Sequence, residues 1–116
     1  MITSKKRGFF MEVKTINYLK KEIDDDDFVV SGEIYIGPEN EDFVYEVFEF
    51  NVISIKRLYS SFEENAIMLS RGWMISKIYD ESLIEKKIES IVSKCHSLDD
   101  EENYIELSAY FRRMNL

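Results

Sequence analysis

Apolar and polar positions in the first half of the chain predict three strands. The three segments are rich in aromatic and β-branched side chains, which favour extended structure, and they span residues 8–19, 28–36 and 43–53. The third segment is apolar almost throughout, as expected of a strand at the centre of a sheet. Gly37 and Pro38 mark a turn between the second and third segments, so we expect an antiparallel meander.

In the second half of the chain, apolar residues recur every three or four positions, which predicts three helices. The first begins after Ser54, a residue type that caps helices. The second begins at Asp80 or Ser82, since Ser82 and Glu85 have the spacing of a capping box. The third helix spans residues 100–113. A fourth strand, over residues 67–79, lies between the first and second helices. The apolar stripes of the three helices are Ile55, Leu58, Tyr59 and Phe62; Ile84, Ile88, Ile91, Val92 and Cys95; and Tyr104, Leu107, Phe111 and Met114.

The resulting order, β-β-β-α-β-α-α, predicts an α+β fold in which a mostly antiparallel four-stranded sheet packs with about three helices. The length of 116 residues fits a single domain, residues 1–116. The single cysteine, Cys95, allows no internal disulfide, which suits a reducing compartment. No run approaches the ~18 apolar residues of a membrane span, and Glu12 and Lys14 interrupt the only leader-like segment. We therefore expect a cytoplasmic protein.

The net charge of −8 is concentrated in one part of the chain. Residues 22–55 contain eleven acidic side chains and neither Lys nor Arg, whereas residues 1–21 carry +5 and residues 56–116 carry −2. Such a charge is repelled by phosphates, so we expect neither nucleic acid nor an anionic membrane as a partner. A basic protein would be attracted.

Two acidic runs need different explanations. Asp99–Glu102 open the last predicted helix, and Arg112 and Arg113 close it. This run is therefore expected to stabilise the helix by interacting favourably with its dipole. Asp24–Asp27 precede a strand and have no helix to serve. Three interpretations stay open for them: a solvated face, a docking surface for a strongly basic partner, or a metal site. A solvated face would be partly neutralised by Lys5, Lys6, Arg7, Lys20 and Lys21.

The docking interpretation makes a definite prediction about which residues contact the partner. Carboxylates at the two turns of the acidic segment would pair with Lys or Arg side chains across the interface, which speeds encounter and fixes register. The expected contact residues are Asp24, Asp25, Asp26, Asp27, Glu39, Glu41, Asp42 and Glu46.

Motifs for catalysis or for cofactor binding are missing from the sequence. The chain has one His and one Cys, and it lacks both a nucleophile elbow and a glycine-rich phosphate loop. The Asp24–Asp27 run lacks the glycine and the terminal glutamate of an EF-hand loop. We therefore expect no catalytic residue, no cofactor and no metal. Trp73 is expected in the core or, alternatively, as an interface anchor.

Four segments resemble the immunity protein 8 family of bacterial polymorphic toxin and contact-dependent inhibition systems. They are "IYIGP" (34–38), "VFEFNVISIKRL" (47–58), "RGWMISKIYD" (71–80) and "IEKKIESIVSKC" (84–95). The family pattern is a strand ending in Gly-Pro, an acidic turn, and an aromatic strand running into a short helix. A glycine turn, a strand closed by Tyr-Asp and an amphipathic helix follow. The resemblance covers residues 28–111.

The resemblance implies a small protein that binds and neutralises one cognate secreted toxin domain. Many such toxins are nucleases that act in the cytosol, and their substrate-binding surfaces are basic, which matches an acidic inhibitor. Two alternatives stay open. One is an acidic interaction or regulatory module of another complex, and the other is a metal-binding domain at the aspartate run.

Overall fold

The computed structural model describes residues 10–64, 72–95 and 99–114, and these form one sheet with three helices. The strands are β1 (Met11–Asp24), β2 (Asp27–Pro38), β3 (Glu46–Ser54), β4 (Trp73–Ser76) and β5 (Arg112–Arg113). The helices are α1 (Ile55–Glu64), α2 (Glu81–Ser93) and α3 (Asp100–Leu107). The predicted α+β class and the order of the first seven elements are confirmed, and the short strand β5 is added at the end.

The sheet has the order β1-β2-β3-β4, and β5 also pairs with β3. Strands β1, β2 and β3 form the predicted antiparallel meander. Strand β4 is parallel to β3, because α1 provides the crossover that two parallel neighbours require. Strands β4 and β5 share one edge of β3, with β4 opposite residues 51–54 and β5 opposite residues 48–49.

The hydrophobic core lies between one face of the sheet and helices α2 and α3. The strand predicted over 28–36 alternates as its apolar pattern indicates, with Phe28, Val30, Ile34 and Ile36 facing inward. Alternate residues of β3 continue this inward face. Helices α2 and α3 contribute residues of their predicted apolar stripes, but Phe111 and Met114 of the third stripe lie beyond the end of α3. Together the buried side chains include Phe28, Val30, Ile34, Ile36, Phe48, Phe50, Val52, Ile84, Ile88, Val92, Tyr104, Leu107 and Phe111.

The last helix is shorter than predicted. Helix α3 ends at Leu107, and Arg112 and Arg113 belong to β5, so the expectation that these arginines close the helix is wrong. The reason lies in β3, whose edge is left open beyond the end of β4. The backbone at residues 112–113 pairs with this free stretch, and Met114 N donates to Val47 O at 2.9 Å.

Other boundaries also differ from the predictions. Strand β1 continues five residues past its predicted end, because its polar second half pairs with β2 up to the turn. The predicted strand over 67–79 is reduced to β4, and residues 67–71 lie outside the described residues. The cap of α2 is Asp80, which accepts from the backbone N–H of Ser82 and Leu83, and Glu85 accepts from Tyr18 Oη. The capping box of Ser82 and Glu85 is therefore wrong.

Most of the apolar stripe predicted for α1 is exposed to solvent. Tyr59 is 74% exposed, Ile55 and Phe62 are also exposed, and Leu58 is half-buried. The periodicity thus predicted the helix correctly, but the stripe does not join the core.

Ser54 joins two elements through one buried hydroxyl. Its Oγ accepts from Arg57 N at 2.9 Å, which caps α1 as predicted, and from Phe28 N of β2 at 3.1 Å. Replacing Ser54 by Ala leaves both N–H groups without this acceptor. We expect Ser54→Ala to lower the free energy of unfolding by about 1–3 kcal/mol, measured by urea denaturation.

Ser60→Ala is the matched control, since Ser60 is exposed on the same helix and its hydroxyl donates to the Lys56 carbonyl. Its free energy of unfolding should stay within about 0.5 kcal/mol of wild type. Equal effects of the two substitutions would contradict the role of Ser54.

Candidate partner-binding surfaces

The structure separates the eight predicted contact residues into two groups at opposite ends of β2. Asp24–Asp27 form the turn between β1 and β2, here called the hairpin turn. Glu39, Glu41 and Asp42 lie between β2 and β3, and Glu46 is the first residue of β3. Strand β2 has 12 residues, so at about 3.3 Å per residue the two groups are about 36 Å apart. They form two surfaces.

Half of the hairpin turn is neutralised by cations of α1. Arg57 Nε donates to Asp27 Oδ1 at 2.6 Å, and Lys56 Nζ lies 3.3 Å from Asp26 Oδ1. The hydrogen bond to Asp27 raises the pKa of Arg57, which also contacts Glu22 at 3.4 Å. The helix that follows β3 therefore supplies the charge that the hairpin turn lacks.

Asp24 and Asp25 have no cation within salt-bridge distance among the described residues. Asp25 has a φ of 59°, in the left-handed region that Asp tolerates better than most side chains. This backbone conformation gives Asp25 a structural reason to be at the turn, besides any contact with a partner.

Lys20 and Lys21, which were expected to help neutralise the aspartates, pair with glutamates instead. Lys20 pairs with Glu22 at 3.1 Å, and Lys21 Nζ binds Glu81 of α2 at 2.6 Å. Lys5, Lys6 and Arg7 lie outside the described residues. Neutralisation of the turn by α1 was missed, because Lys56 and Arg57 lie thirty residues further along the chain.

The second group lies on a loop with a defined conformation, residues 39–45, here called the acidic loop. The backbone N–H of Glu39 donates to Phe10 O at 3.0 Å, and Val44 N donates to Glu41 O at 3.3 Å, which closes a turn. Gly37 packs directly under this turn, since a Cβ added there would lie 1.9 Å from Val44 O. Only glycine fits at this contact.

Within the described part of the chain, no cation lies within salt-bridge distance of Glu39, Glu41 or Asp42. Their surroundings add further negative charge, because the N-terminus of α3 lies nearby. The pKa of Asp100 is raised by burial, and then by the charges of Glu41 and Asp99. The two acidic runs that the sequence analysis treated separately thus meet at this end of the molecule.

Asp99 has the helix role predicted for it, since its Oδ1 accepts from Glu101 N at 2.8 Å as the cap of α3. A buried hydroxyl close by has no hydrogen-bond partner among the described residues, that of Tyr104. Burial, followed by the charge of Asp100, raises the pKa of Tyr104 to about 12. A buried donor without a partner and a partly buried carboxylate among like charges both cost stability.

Glu46 differs from the other members of its group because it has a cation partner. Arg113 Nε donates to Glu46 Oε1 at 3.0 Å, and the same guanidinium binds Glu101 with two bonds of 2.7 and 3.1 Å. These hydrogen bonds raise the pKa of Arg113, and the bond to Glu101 has the largest effect. The charge of Glu46 is therefore balanced within the protein.

Sequence reasoning missed the apolar part of the acidic loop. The strand predicted over 43–53 begins only at Glu46, and Phe43 at the tip of the loop is 94% exposed. Val44 and Tyr45 are also exposed. The Tyr45 ring packs against that of Tyr35, with ring centroids 5.1 Å apart and ring planes tilted by 50°. The acidic residues directly before Phe43 were the available signal that the apolar run starts inside a turn.

Cys95 is the single cysteine of the chain, and its side chain is buried. The pKa of the Cys95 thiol is raised to about 12, mainly by burial, so it stays protonated and is a poor nucleophile.

Among the described residues, no three His, Cys, Asp or Glu side chains are placed to hold a metal ion. No helix in the described ranges has both the length and the apolar character needed to cross a membrane. Trp73 is 38% exposed and lines a cleft of about 620 Å³.

The fold and its surface define a small α+β protein that has an acidic surface at each end of β2 and an exposed aromatic side chain at the tip of the acidic loop. The family described as Immunity protein 8 matches residues 8–113, and the chain belongs to that family. The match includes β1, which the resemblance noted in the sequence did not cover. Members are immunity proteins of toxin systems and are typically not enzymes. No curated protein and no solved structure matches the chain.

The neighbours Asp100 and Glu101 allow a test of the electrostatics of this end. Because the folded-state pKa of Asp100 is raised, its ionised form destabilises the fold, and this penalty disappears as pH falls through the carboxyl range. The pKa of Glu101 is lowered by Arg113, so its contribution is present at neutral pH and lost at acid pH. We expect Asp100→Asn to stabilise and Glu101→Gln to destabilise at about pH 7.

The difference for Asp100→Asn should shrink towards about pH 4, whereas that for Glu101→Gln should shrink only at lower pH, because the folded-state pKa of Glu101 lies below its ordinary value. Urea denaturation of the three proteins across this pH range measures the effect. Shifts of the same sign for the two variants at neutral pH would contradict the assignment.

Proposed function

We propose that this immunity protein binds and neutralises a cognate secreted toxin domain through an acidic surface, and that the toxin is a basic nuclease acting in the cytoplasm. The observation that carries the proposal is the uncompensated charge of the acidic loop, where Glu39, Glu41 and Asp42 have no cation partner in the described part of the chain. Membership of the immunity protein 8 family supplies the class of partner.

The charge of the partner follows from what a nuclease has to bind. A nuclease holds phosphates with Lys and Arg side chains, so the surface that leads to its active site is basic. An inhibitor with carboxylates on a preformed loop is attracted to that surface, and it competes there with the nucleic acid. Occupation of the basic surface would stop substrate binding without any catalytic group on the inhibitor.

The acidic loop is better suited to this contact than the hairpin turn. Asp26 and Asp27 already pair with cations of α1, so a toxin cation would have to compete with Lys56 and Arg57. In the acidic loop, by contrast, burial of Asp100 beside Glu41 adds an electrostatic cost that a cation from outside would relieve. A site that costs the free protein stability is typical of a functional surface.

The proposal is tested first with a toxin domain identified by searching the genes adjacent to this one. We expect its production in bacteria to stop growth, and co-production of this protein to restore it, with the two purified proteins forming a stoichiometric complex at low salt. A toxin domain from an unrelated system serves as the control and should not be neutralised. Growth arrest despite co-production of the folded protein would contradict the proposal, and the chain would then serve another complex.

A pair of double variants distinguishes the two acidic ends. Glu41→Gln with Asp42→Asn removes two charges from the acidic loop, and Asp24→Asn with Asp25→Asn removes two from the hairpin turn. We expect the loop variant to slow association with the toxin domain by about threefold or more at low salt, and to weaken the salt dependence. The turn variant should change the association rate less.

Asn suits this comparison, because it tolerates the left-handed conformation of residue 25 and leaves the pairs of Asp26 and Asp27 intact. Stopped-flow or surface-based kinetics at two salt concentrations would give both rates. A larger effect of the turn variant would place the contact at the other end of β2.

A further inference from the structure

Phe43 has the most exposed large apolar side chain in the described part of the chain. Its ring is 94% exposed, so it contributes almost no burial to the fold. Burial of such a side chain is favourable, and the folded protein gains almost none of this contribution from Phe43. Large exposed aromatic side chains that lie together on a surface mark contact sites for other proteins.

The ring is not isolated, and it lies on a backbone that is held in place. Val44, Tyr45 and Phe10, next to it or at the base of the loop, are also exposed. The turn bond from Val44 N to Glu41 O and the close contact of Gly37 with Val44 fix the backbone on both sides of Phe43. A side chain presented on a preformed turn loses little conformational entropy on binding, which favours affinity.

The charges around the ring define the partner. Glu39, Glu41 and Asp42 precede Phe43 on the loop, and Asp100 of α3 adds negative charge beside Glu41. Nucleic acid, an anionic bilayer and a second copy of this acidic surface would all be repelled. The matching surface has an apolar pocket with a rim of Lys or Arg side chains, whose cations can also stack on the aromatic face.

We propose that Phe43 is the apolar anchor of the toxin contact, inserting into an apolar pocket on the toxin domain whose rim carries Lys or Arg side chains. The inference rests on the proposed function and adds to it the residue that provides most of the short-range binding energy. Charge and anchor then have separate roles. The carboxylates govern how fast the complex forms, and the buried ring governs how long it lasts.

The test measures binding of three variants to the toxin domain used in the growth test above, purified and catalytically inactivated. Phe43→Ala should raise the Kd about tenfold or more, mainly through faster dissociation. Phe43→Leu should have an intermediate effect, because part of the apolar surface is kept. Tyr59→Ala is the matched control, since Tyr59 is a similarly exposed aromatic residue at the other end of the sheet, and it should bind like wild type.

Two further measurements separate an anchor from an indirect effect. The urea midpoint of Phe43→Ala should equal that of wild type, because the ring is hardly buried in the free protein. The loss caused by Phe43→Ala should persist at high salt, whereas the loss in the Glu41→Gln, Asp42→Asn variant should fade. A loss that salt removes would mean that the ring acts only through its charged neighbours, and the anchor would be rejected.

The outcomes also separate this inference from the proposed function. Wild-type binding together with unchanged binding of Phe43→Ala would overturn the anchor and leave the proposed function intact. Failure of the wild-type protein to bind the toxin domain would overturn both. Self-association of the wild-type protein that Phe43→Ala abolishes, measured by sedimentation, would assign the ring to a second copy of the chain and overturn the toxin anchor.

Discussion

Strand β3 is the constraint on which the rest of the structure depends. On one side its residues 46–53 pair with β2, and on the other side residues 48–49 pair with β5 and residues 51–54 with β4. Its side chains are buried on both faces, with Phe48, Phe50 and Val52 in the core and Val47 and Ile53 on the opposite side. A nine-residue apolar strand with both edges paired leaves its backbone little freedom, so whatever is attached to its two ends is fixed in place.

The two ends of β3 also determine how charge is distributed. At its C-terminus, Ser54 starts α1, and the first turn of that helix brings Lys56 and Arg57 to the hairpin turn. At its N-terminus, the open edge recruits β5, which brings Arg113 to Glu46 and Glu101. Both pairings neutralise acids that lie close to β3. The acidic loop extends past the paired part of the sheet, where neither α1 nor β5 supplies a cation.

The sequence was sufficient for elements whose pattern reflects burial. The inward face of β2, the central character of β3 and the stripes of α2 and α3 follow from apolar spacing, because the same spacing builds the core. Apolar spacing does not predict elements that form only because their backbone pairs with a neighbouring strand. The second half of β1 is polar and β5 has only two residues, and both are strands only because a neighbour offers free backbone groups. A helix stripe can also face solvent, as α1 shows.

The candidate site shows a second reason why sequence reasoning was incomplete. Counting charges along the chain joined the aspartates of the hairpin turn to the acids after Pro38, yet the length of β2 separates them. The same counting kept Asp99–Glu102 apart from the acidic loop, and the fold brings them together. Phe43 belonged to an apolar run and was assigned to a strand, because a run of this kind does not reveal where pairing begins.

The construction of the acidic loop bears on how one scaffold could serve different partners. Its conformation depends on backbone hydrogen bonds, which most residues can make, and on the absence of a side chain at Gly37. The side chains from Glu39 to Phe43 are exposed and contribute little to the fold. Substitutions among them therefore change the charge and the apolar surface offered to a partner at small cost in stability. If the toxin contact lies on this loop as proposed, recognition can vary there while β3 and the core remain as they are.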